Sequence, residues 1–230
     1  MEQNKIENST RTHAGVPPRK VLYVLIACEE SQAETKAFRD LGHIAYSCDI
    51  QECIKSGVPG WHIHGDVTPY LQGVTQFITQ DGTQHSVPRW DLIIAHPPCT
   101  YLCRMSSCQC YDNGHLKWSR VRNMILARRF FFQCLRAKAK YVAVENPIPL
   151  KRAQLPPPSC YACPSWFGVK YTKKTLYWLR NLPPIMPQIF HSHPKVFVRA
   201  TSGKYRSRTF PQLAQAIALQ WSQYILENEP

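Results

Sequence analysis

The stretch VLYVLIA at residues 21–27 is a continuous apolar run. This composition is typical of a strand in a parallel sheet, because helices cover such a strand on both faces. The motif SQAE at residues 31–34 follows it and predicts a capping box at the start of a helix. The apolar positions of that helix share one face, and they are Ala33, Ala37, Phe38 and Leu41. Gly42 suits the helix end, so the chain is predicted to open with a buried strand and an amphipathic helix.

The alternation of apolar strands and amphipathic helices continues along the chain. Further strands are predicted at residues 43–50, 61–67, 90–95, 141–144, 175–179 and 196–198. Helices are predicted at 117–139 and 210–227, and a proline-rich loop at 147–164. The closing helix is predicted to face inward with Leu213, Ile217, Trp221 and Ile225. This order predicts an α/β fold, with a mostly parallel sheet and helices on both faces. We expect residues 1–19 to form a flexible basic arm and residues 20–230 to form a single domain.

The composition narrows the class of protein. The chain has 230 residues, with 28 Lys and Arg against 15 Asp and Glu, which gives a formal net charge of +13. This surplus favours a polyanionic partner such as nucleic acid, although solubility alone also accounts for it. Hydrophobic residues make up 44% of the chain, which excludes global disorder. No apolar run approaches the roughly 18 residues of a membrane-spanning helix, and the N-terminus lacks the apolar core of a secretory signal. We therefore expect no membrane partner and a cytoplasmic location, or a nuclear one in a eukaryote.

Chemically capable side chains follow the predicted strands where each strand ends. They are Cys28, Glu29, Asp49, Asp66, Cys99 and Glu145. Ligands of parallel α/β sheets bind outside the carboxyl ends of the strands, so these residues are expected to share one site. A carboxylate after the second strand can accept hydrogen bonds from a ribose, and one after the third could receive the exocyclic amine of an adenine. Capping of loops is the alternative explanation for both aspartates.

A cysteine and a glutamate in this set suggest one reaction. Pro97 and Pro98 stiffen the loop before Cys99, and a thiol held in basic surroundings is a candidate nucleophile because positive charge lowers its pKa. Glu145, at the tip of a buried strand, could hold or protonate a ring nitrogen. A thiolate that adds to C6 of a pyrimidine makes C5 nucleophilic, while an acid near N3 stabilises the developing charge. The alternatives are a buried structural cysteine and a glutamate that caps a loop or helix.

From about residue 21 to residue 221 the chain resembles the cytosine-C5 DNA methyltransferases, in particular their compact phage-type members. WDLIIAHPPCTYL at 90–102 is similar to the family's nucleophile motif, and VAVENP at 142–147 to the motif whose glutamate contacts cytosine N3. PSWFGVKYTKKTLYWL at 164–179 is similar to its phenylalanine–glycine stretch, glutamine/arginine motif and aromatic strand. TFPQLAQAIA at 209–218 resembles the closing motif. The resemblance implies a Rossmann-like fold that uses S-adenosylmethionine.

The resemblance also implies roles for single residues. Cys99 would be the nucleophile, Glu145 the group at N3, and Lys173 would stand at the first arginine position of the family motif, whose second arginine is replaced by Thr175. The implied contacts of S-adenosylmethionine are Cys28, Glu29, Glu30, Ser31, Asp49, Ile50, Asp66 and Pro97. The implied contacts of the substrate, DNA or a cytosine nucleotide, are Pro98, Asn146, Arg206 and Arg208.

The sequence departs from the family pattern in two places. The glycine-rich cofactor loop is replaced by ACEES at 27–31, which has no glycine. Only residues 181–208 stand where the family carries a target-recognition domain. The substrate is therefore DNA read with little selectivity, single-stranded DNA, or a free cytosine nucleotide. A related enzyme that modifies a free pyrimidine nucleotide, and a non-catalytic nucleic-acid-binding protein of the same fold, remain alternatives. Phosphates could be held by the basic arm, by Arg206 and Arg208, and by Arg120, Arg122, Arg128, Arg129 and Arg136 of the long helix.

Cysteine and histidine clusters raise the question of a metal. The ten cysteines occur without a signal peptide, so a disulfide framework is not expected. A zinc site would combine Cys108, Cys110, Cys160 and Cys163, but the two pairs are roughly fifty residues apart, which argues against it. His62, His64 and His96 could form a metal triad, although such histidines more often hydrogen-bond locally. We therefore assign no resident metal.

Overall fold

The computed structural model describes residues 20–170, 173–189 and 208–228. The predicted arm at 1–19, the predicted strand at 196–198 and the predicted phosphate contact Arg206 lie outside the described residues. The described strands are β1 (Tyr23–Ala27), β2 (Ile44–Asp49), β3 (His62–His64), β4 (Gln76–Ile78), β5 (Gln84–Ser86), β6 (Leu92–Ala95), β7 (Tyr111–Asp112), β8 (His115–Leu116), β9 (Tyr141–Asn146), β10 (Cys160–Ala162) and β11 (Thr175–Arg180). The described α-helices are α1 (Ala33–Asp40), α2 (Thr68–Leu71), α3 (Trp118–Leu135) and α4 (Pro211–Asn228).

Seven of these strands form one sheet in the order β10-β11-β9-β6-β1-β2-β3. Neighbours from β3 to β9 are parallel, β11 is antiparallel to β9, and β10 is antiparallel to β11. The chain builds β1, β2 and β3 outward in one direction and β6 and β9 in the other, so the order reverses between β1 and β6. In doubly wound sheets the ligand crevice opens at such a reversal.

The residues of β1 show why the sheet is buried on both faces. Val24 and Ile26 point into a core shared with α1 and α4, while Leu25 and Ala27 point into a core shared with α3. All four side chains are fully buried, as the apolar run predicts. The four residues predicted to face inward on the closing helix are buried in the first of these cores. The α/β class, the mostly parallel sheet and the helices on both faces are therefore confirmed. Among the described helices, none is both long and apolar enough to cross a bilayer.

The predicted capping box of the first helix is wrong. Helix α1 begins after Gln32 rather than after Ser31, and no side chain of the N-cap residue caps it. Gln32 adopts a left-handed φ of 56° and turns its amide away from the helix. The amide donates to Ser47 Oγ at 3.2 Å and accepts from the Val58 N–H at 2.7 Å. Gln32 therefore ties the turn after β1 to the chain between β2 and β3.

Other differences lie at element ends and in loops. The long helix α3 ends at Leu135, four residues before the predicted end. The guanidinium of Arg180 donates to the carbonyls of Leu135, Ala137 and Ala139, so those groups are satisfied outside a continued helix. The predicted proline-rich loop contains the edge strand β10, and the short hairpins β4–β5 and β7–β8 were not predicted.

Candidate active site

The carboxyl ends of β1, β6 and β9 lie side by side at one edge of the sheet. Ala27 of β1 is level with Ala95 of β6, which in turn is level with Val144 of β9. The chain continues from β6 through His96 and two prolines to Cys99, while Glu145 follows Val144 directly. Cys99 and Glu145 are both half-buried. The structure therefore brings the predicted nucleophile and the predicted acid to neighbouring strand ends.

The turn after β1 forms without glycine. Cys28 adopts a left-handed φ of 61°, a conformation that favours glycine. The N–H groups of Cys28 and Glu29 both donate to the carbonyl of Cys48, at 2.7 and 3.3 Å. Burial is the main reason that the pKa of the Cys28 thiol is raised well above its usual range. Cys28 thus performs the backbone role of the missing glycine and carries a thiol that stays protonated.

The carboxylate of Glu29 closes the N-terminus of α1. It accepts hydrogen bonds from the N–H of Glu34 at 2.7 Å, and from the N–H and the hydroxyl of Thr35 at 3.3 and 2.7 Å. The side chain is buried, and burial together with the neighbouring Glu34 raises the pKa of Glu29 to about 7. The first turn of α1 is therefore satisfied from within the protein, by a residue that the resemblance assigns to the cofactor.

His96 is held between two carboxylates. Its Nε2 lies 3.1 Å from Glu34 Oε2 and its Nδ1 lies 3.5 Å from Glu145 Oε2. Glu34 is fully buried, and its second oxygen Oε1 has no hydrogen-bond partner in the described chain. Burial lowers the pKa of His96, but the carboxylates of Glu34 and Glu145 outweigh burial and raise it well above the usual range. His96 is therefore an imidazolium that connects α1 with the tip of β9.

Cys99 has a second cysteine as its close neighbour. The N–H of Cys103 donates to the Cys99 carbonyl at 2.9 Å, which places the two side chains one turn apart. The hydrogen bond between the two sulfurs, and then burial, raises the pKa of Cys99. The same hydrogen bond lowers the pKa of Cys103 to about 5, with help from Ser106. The groups with the largest effect on the pKa of Cys99 are a thiol and the carboxylate of Glu145, rather than the cations that were expected to lower it. The pair shares one proton.

An open cleft of about 720 Å³ lies beyond the carboxyl end of β2, and its walls include Glu30, Gln51 and Arg208. This volume is within the range of small-molecule sites, roughly 300–1,000 Å³. Asp49 ends β2, where burial raises the pKa of its carboxyl, and its Oδ1 accepts the N–H of Gln51 at 2.8 Å. Ile50 is large and apolar yet 75% exposed. Both residues directly precede Gln51 in the chain, but neither is among the residues that line the cleft.

Asp66 serves its own loop. Its Oδ1 accepts the N–H and the hydroxyl of Thr68 at 2.9 and 2.8 Å, at the start of α2. This is the capping role that the sequence analysis gave as the alternative for the aspartates.

Arg208 joins the cleft to the region of Glu145. Its guanidinium forms an ion pair with Glu30 at 3.5 Å. It also lines an enclosed space of about 10 Å³, with Glu145, Lys173 and Tyr177. Such a space holds about one water molecule. The structure therefore brings together Arg208, predicted to bind substrate, and Glu145 and Lys173, predicted to be catalytic.

The remaining predicted residues have mainly supporting positions. Asn146 is fully buried, and its Nδ2 donates to the carbonyl of Pro147 at 2.7 Å, which shapes the turn after β9. Pro97 is buried, Pro98 is exposed next to Cys99, and Ser31 is half-buried in the turn before α1.

The four cysteines that were considered as zinc ligands, and not assigned as such, do not form a metal site in the described residues. In the parts of the chain that the structure describes, no group of three or more His, Cys, Asp or Glu side chains has an arrangement that could hold a metal ion. All four cysteines lie in those parts. His62 hydrogen-bonds to Ser47 Oγ and to the Gln51 carbonyl, both at 2.8 Å, and His64 to the Ile50 carbonyl at 3.0 Å. These two histidines are satisfied locally, as expected.

Three functional candidates were missed in the sequence. Glu34 was interpreted as part of a capping box, although its side chain points to His96. His96 was considered only as a metal ligand. Cys103 lies four residues after Cys99, and this i, i+4 spacing is the one signal that could have indicated their contact.

Comparison with known proteins adds no further assignment. A scan against protein-family models found no match, and a search of curated proteins found no significant match either.

Proposed function

We propose that this protein transfers a methyl group from S-adenosylmethionine to C5 of cytosine in DNA, through a covalent adduct with Cys99. The observation that carries the proposal is the placement of Cys99 and Glu145 at the ends of adjacent parallel strands, β6 and β9, with His96 between Glu145 and Glu34. Addition to a pyrimidine ring requires a thiol and, beside it, an acidic group that can receive a proton from a neighbour such as His96.

The chemistry assigns one task to each group. The Cys99 thiolate adds to C6 of the ring while the carboxyl group of Glu145 gives a proton to N3. C5 then becomes nucleophilic and takes the methyl group, which the cofactor supplies as an electrophile. Loss of the C5 proton to water allows the bond between C6 and sulfur to break. As it breaks, N3 returns its proton to Glu145 and the thiolate of Cys99 is released. The thiolate arises when the proton shared by Cys99 and Cys103 moves onto Cys103.

His96 supports Glu145 in this scheme. A carboxyl group that protonates N3 at neutral pH must have a proton at hand, although a free carboxyl group is ionised there. The imidazolium of His96 lies 3.5 Å from Glu145 and is kept charged by Glu34 on its other side. It is therefore a proton donor next to the acid, and a positioning residue for it.

The residues at the cleft fit S-adenosylmethionine. Asp49 stands at the end of β2, where a carboxylate can accept hydrogen bonds from a ribose, and the exposed Ile50 next to it can pack against an adenine ring. Glu30 and Arg208 can hold the ammonium and carboxylate groups of the amino-acid part, since both line the cleft. The strand order around β1 supports a Rossmann-like methyltransferase fold as the finer description of the sheet.

The test is methyl transfer from isotope-labelled S-adenosylmethionine, with nucleoside mass spectrometry to locate the label. Single-stranded DNA, duplex DNA, RNA and dCMP are offered to the wild type, to Cys99→Ser and to Cys160→Ser. Cys160 is the matched control, because it is half-buried like Cys99 but lies on the edge strand β10. We expect label at cytosine C5 in DNA with the wild type and the control, and none with Cys99→Ser.

Two results would overturn the proposal. Label on dCMP alone would favour an enzyme that modifies a free pyrimidine nucleotide. No label on any substrate, together with no cofactor binding by calorimetry, would favour a non-catalytic nucleic-acid-binding protein.

A further inference from the structure

The surface beside Cys99 exposes large apolar and aromatic side chains. Trp118 and Met105 are each 76% exposed and Tyr111 is 45% exposed. All three belong to the segment 99–122, which starts at Cys99 itself. Exposed aromatic side chains concentrated at one place on a soluble protein mark a binding surface.

This segment forms one surface with the loop 147–153, which follows Glu145 and Asn146. The Arg104 N–H donates to the Ile148 carbonyl at 2.8 Å, and the Leu150 N–H donates to the Leu102 carbonyl at 2.7 Å. Helix α3, which begins at Trp118, packs against the turns of both stretches. We call residues 99–122 and 147–153 the aromatic–basic face, and it borders both Cys99 and Glu145.

The face is strongly cationic. It carries Arg104, Lys117, Arg120, Arg122, Lys151 and Arg152, against the single carboxylate of Asp112. Asp112 is paired with Lys117 at 3.4 Å. A phosphate backbone is the complementary partner for such a surface, since each contact releases condensed counterions.

Two arginines hold tyrosine rings on this face. The Arg152 guanidinium donates to the Tyr111 hydroxyl at 2.7 Å and lies 5.5 Å from the centre of its ring. The Arg120 guanidinium lies 4.4 Å from the Tyr101 ring and donates to the Thr100 carbonyl at 3.0 Å. Trp118 makes no ring contact with any described residue. The face therefore offers pre-oriented tyrosines and an uncovered indole between cationic groups.

We infer that the aromatic–basic face binds single-stranded DNA and feeds it to Cys99, with bases stacked on Trp118 and Tyr111 and phosphates on the surrounding arginines and lysines. Stacking on exposed rings needs bases whose faces are free, which a duplex does not offer. The cytosine ring must likewise be unstacked before a thiol can reach C6. The identity of the target base rests on the proposed function, whereas the binding of the strand does not require catalysis.

The experiment is fluorescence anisotropy with a labelled 20-nucleotide DNA strand, the corresponding duplex, and an RNA strand of the same sequence. The proteins are the wild type, Trp118→Ala, Trp118→Phe, and Leu219→Ala as the control for removing an exposed apolar side chain on α4. Thermal melts check that each variant folds. Trp118 is 76% exposed, so we expect its replacement to leave the fold intact.

We expect the single strand to bind about tenfold or more tightly than the duplex. Trp118→Ala should weaken single-strand binding about 5- to 100-fold, which corresponds to the stacking of one base, while Trp118→Phe stays within about threefold of wild type. Arg152→Ala should also reduce the slope of log K against log salt by about 0.7, because one phosphate contact to a single strand is lost. Lys138→Ala, a charge removed from an exposed position outside the face, should leave that slope unchanged.

The inference is overturned if the duplex binds as tightly as the single strand, if Trp118→Ala behaves like Leu219→Ala, or if no polynucleotide binds. Tighter binding of RNA would overturn DNA as the occupant. If the strand binds as expected but no label is transferred in the methylation assay, the proposed function fails while the aromatic–basic face stands.

Discussion

His96 sits between Glu34 and Glu145, and in the proposed reaction its charged ring supplies the proton that lets Glu145 act as an acid at neutral pH. In His96→Gln there is no imidazolium next to Glu145, so Glu145 must already be protonated when it acts as an acid. We expect the rate of methyl transfer by His96→Gln to fall about tenfold per pH unit above about pH 5, relative to wild type, because an ordinary carboxyl group loses its proton there. The measurement is the rate from pH 5.5 to pH 9.

His64→Gln is the control for this change, because His64 hydrogen-bonds only to the nearby Ile50 carbonyl in the described structure. It should follow the wild-type profile. A loss in His96→Gln that is the same at every pH would show that His96 has only a structural role.

The pair Cys99 and Cys103 makes a second prediction at this scale. The hydrogen bond between the two sulfurs raises the pKa of Cys99 and lowers that of Cys103, so the thiolate of the pair rests on Cys103. In Cys103→Ala this neighbouring negative charge is gone, and Cys99 remains partly buried beside Glu145. We expect the pH at which iodoacetamide modifies Cys99 at half its maximal rate to fall by at least about one unit. Peptide mass spectrometry identifies the modified residue.

The exposed Cys108 provides the control for the alkylation experiment. Cys108→Ala should leave the alkylation profile of Cys99 where it is in wild type. An unchanged profile in Cys103→Ala would contradict the shared proton.

At the scale of an element, the capping of α1 by Glu29 links stability to pH. The pKa of Glu29 is raised to about 7 in the folded protein, whereas in the unfolded chain it lies at its usual value near 4.5. Folding therefore favours the protonated form. The contribution of Glu29 to the free energy of unfolding is fully present below about pH 4.5 and is lost as the pH rises towards 7. This loss amounts to about 3 kcal/mol at most.

Glu29→Gln should remove most of this decline, because the amide keeps an acceptor for the N–H of Glu34 but cannot ionise. Glu29→Ala should lower stability at every pH by about 1–2 kcal/mol, since the cap is lost. Urea denaturation at pH 5 and pH 7 measures both effects, with the exposed Glu52→Gln as control. A decline in Glu29→Gln as steep as that of wild type would refute the assignment, and the titration would then belong to His96, whose pKa is also raised and which faces the same cluster.

The helices and strands could be predicted from the sequence where a single physical effect, the burial of apolar side chains, dominates. The strand at Tyr23–Ala27 and the inward residues of α4 follow from apolar periodicity, because burial alone decides them. The start of α1 was mispredicted, because the capping group comes from Glu29, which the local motif does not include. The same limit applies to the site. Strand ends indicated Cys99 and Glu145, but the clamp on His96 depends on Glu34, 62 residues away in the chain, and no local pattern shows such a contact.

At the scale of the whole molecule, the ion pair between Arg208 and Glu30 joins the chain before α4 to the turn after β1 across the cleft. If the cleft holds S-adenosylmethionine, this guanidinium is the cation available to its carboxylate. We expect Arg208→Ala to weaken binding of S-adenosylmethionine about tenfold, the loss of one hydrogen bond to a charged group. Calorimetry measures it without any turnover.

Lys55→Ala is the control, since Lys55 is a second cation that lines the cleft and its removal shows whether the effect of Arg208→Ala is specific. It should bind nearly as wild type does. If Arg208→Ala and wild type bind S-adenosylmethionine with equal affinity, the amino-acid part of the cofactor does not bind at Arg208.

The carboxylate of Glu29 in the first turn of α1 has a consequence for which nucleotides the protein can accept. Dinucleotide enzymes of related architecture place the pyrophosphate of NAD on the free N–H groups at this helix terminus. Here the N–H groups of Glu34 and Thr35 are already bound to the carboxyl group of Glu29, so neither is free for a pyrophosphate. A phosphate group that approached this helix terminus would have to displace Glu29, whereas a nucleoside without phosphates would not.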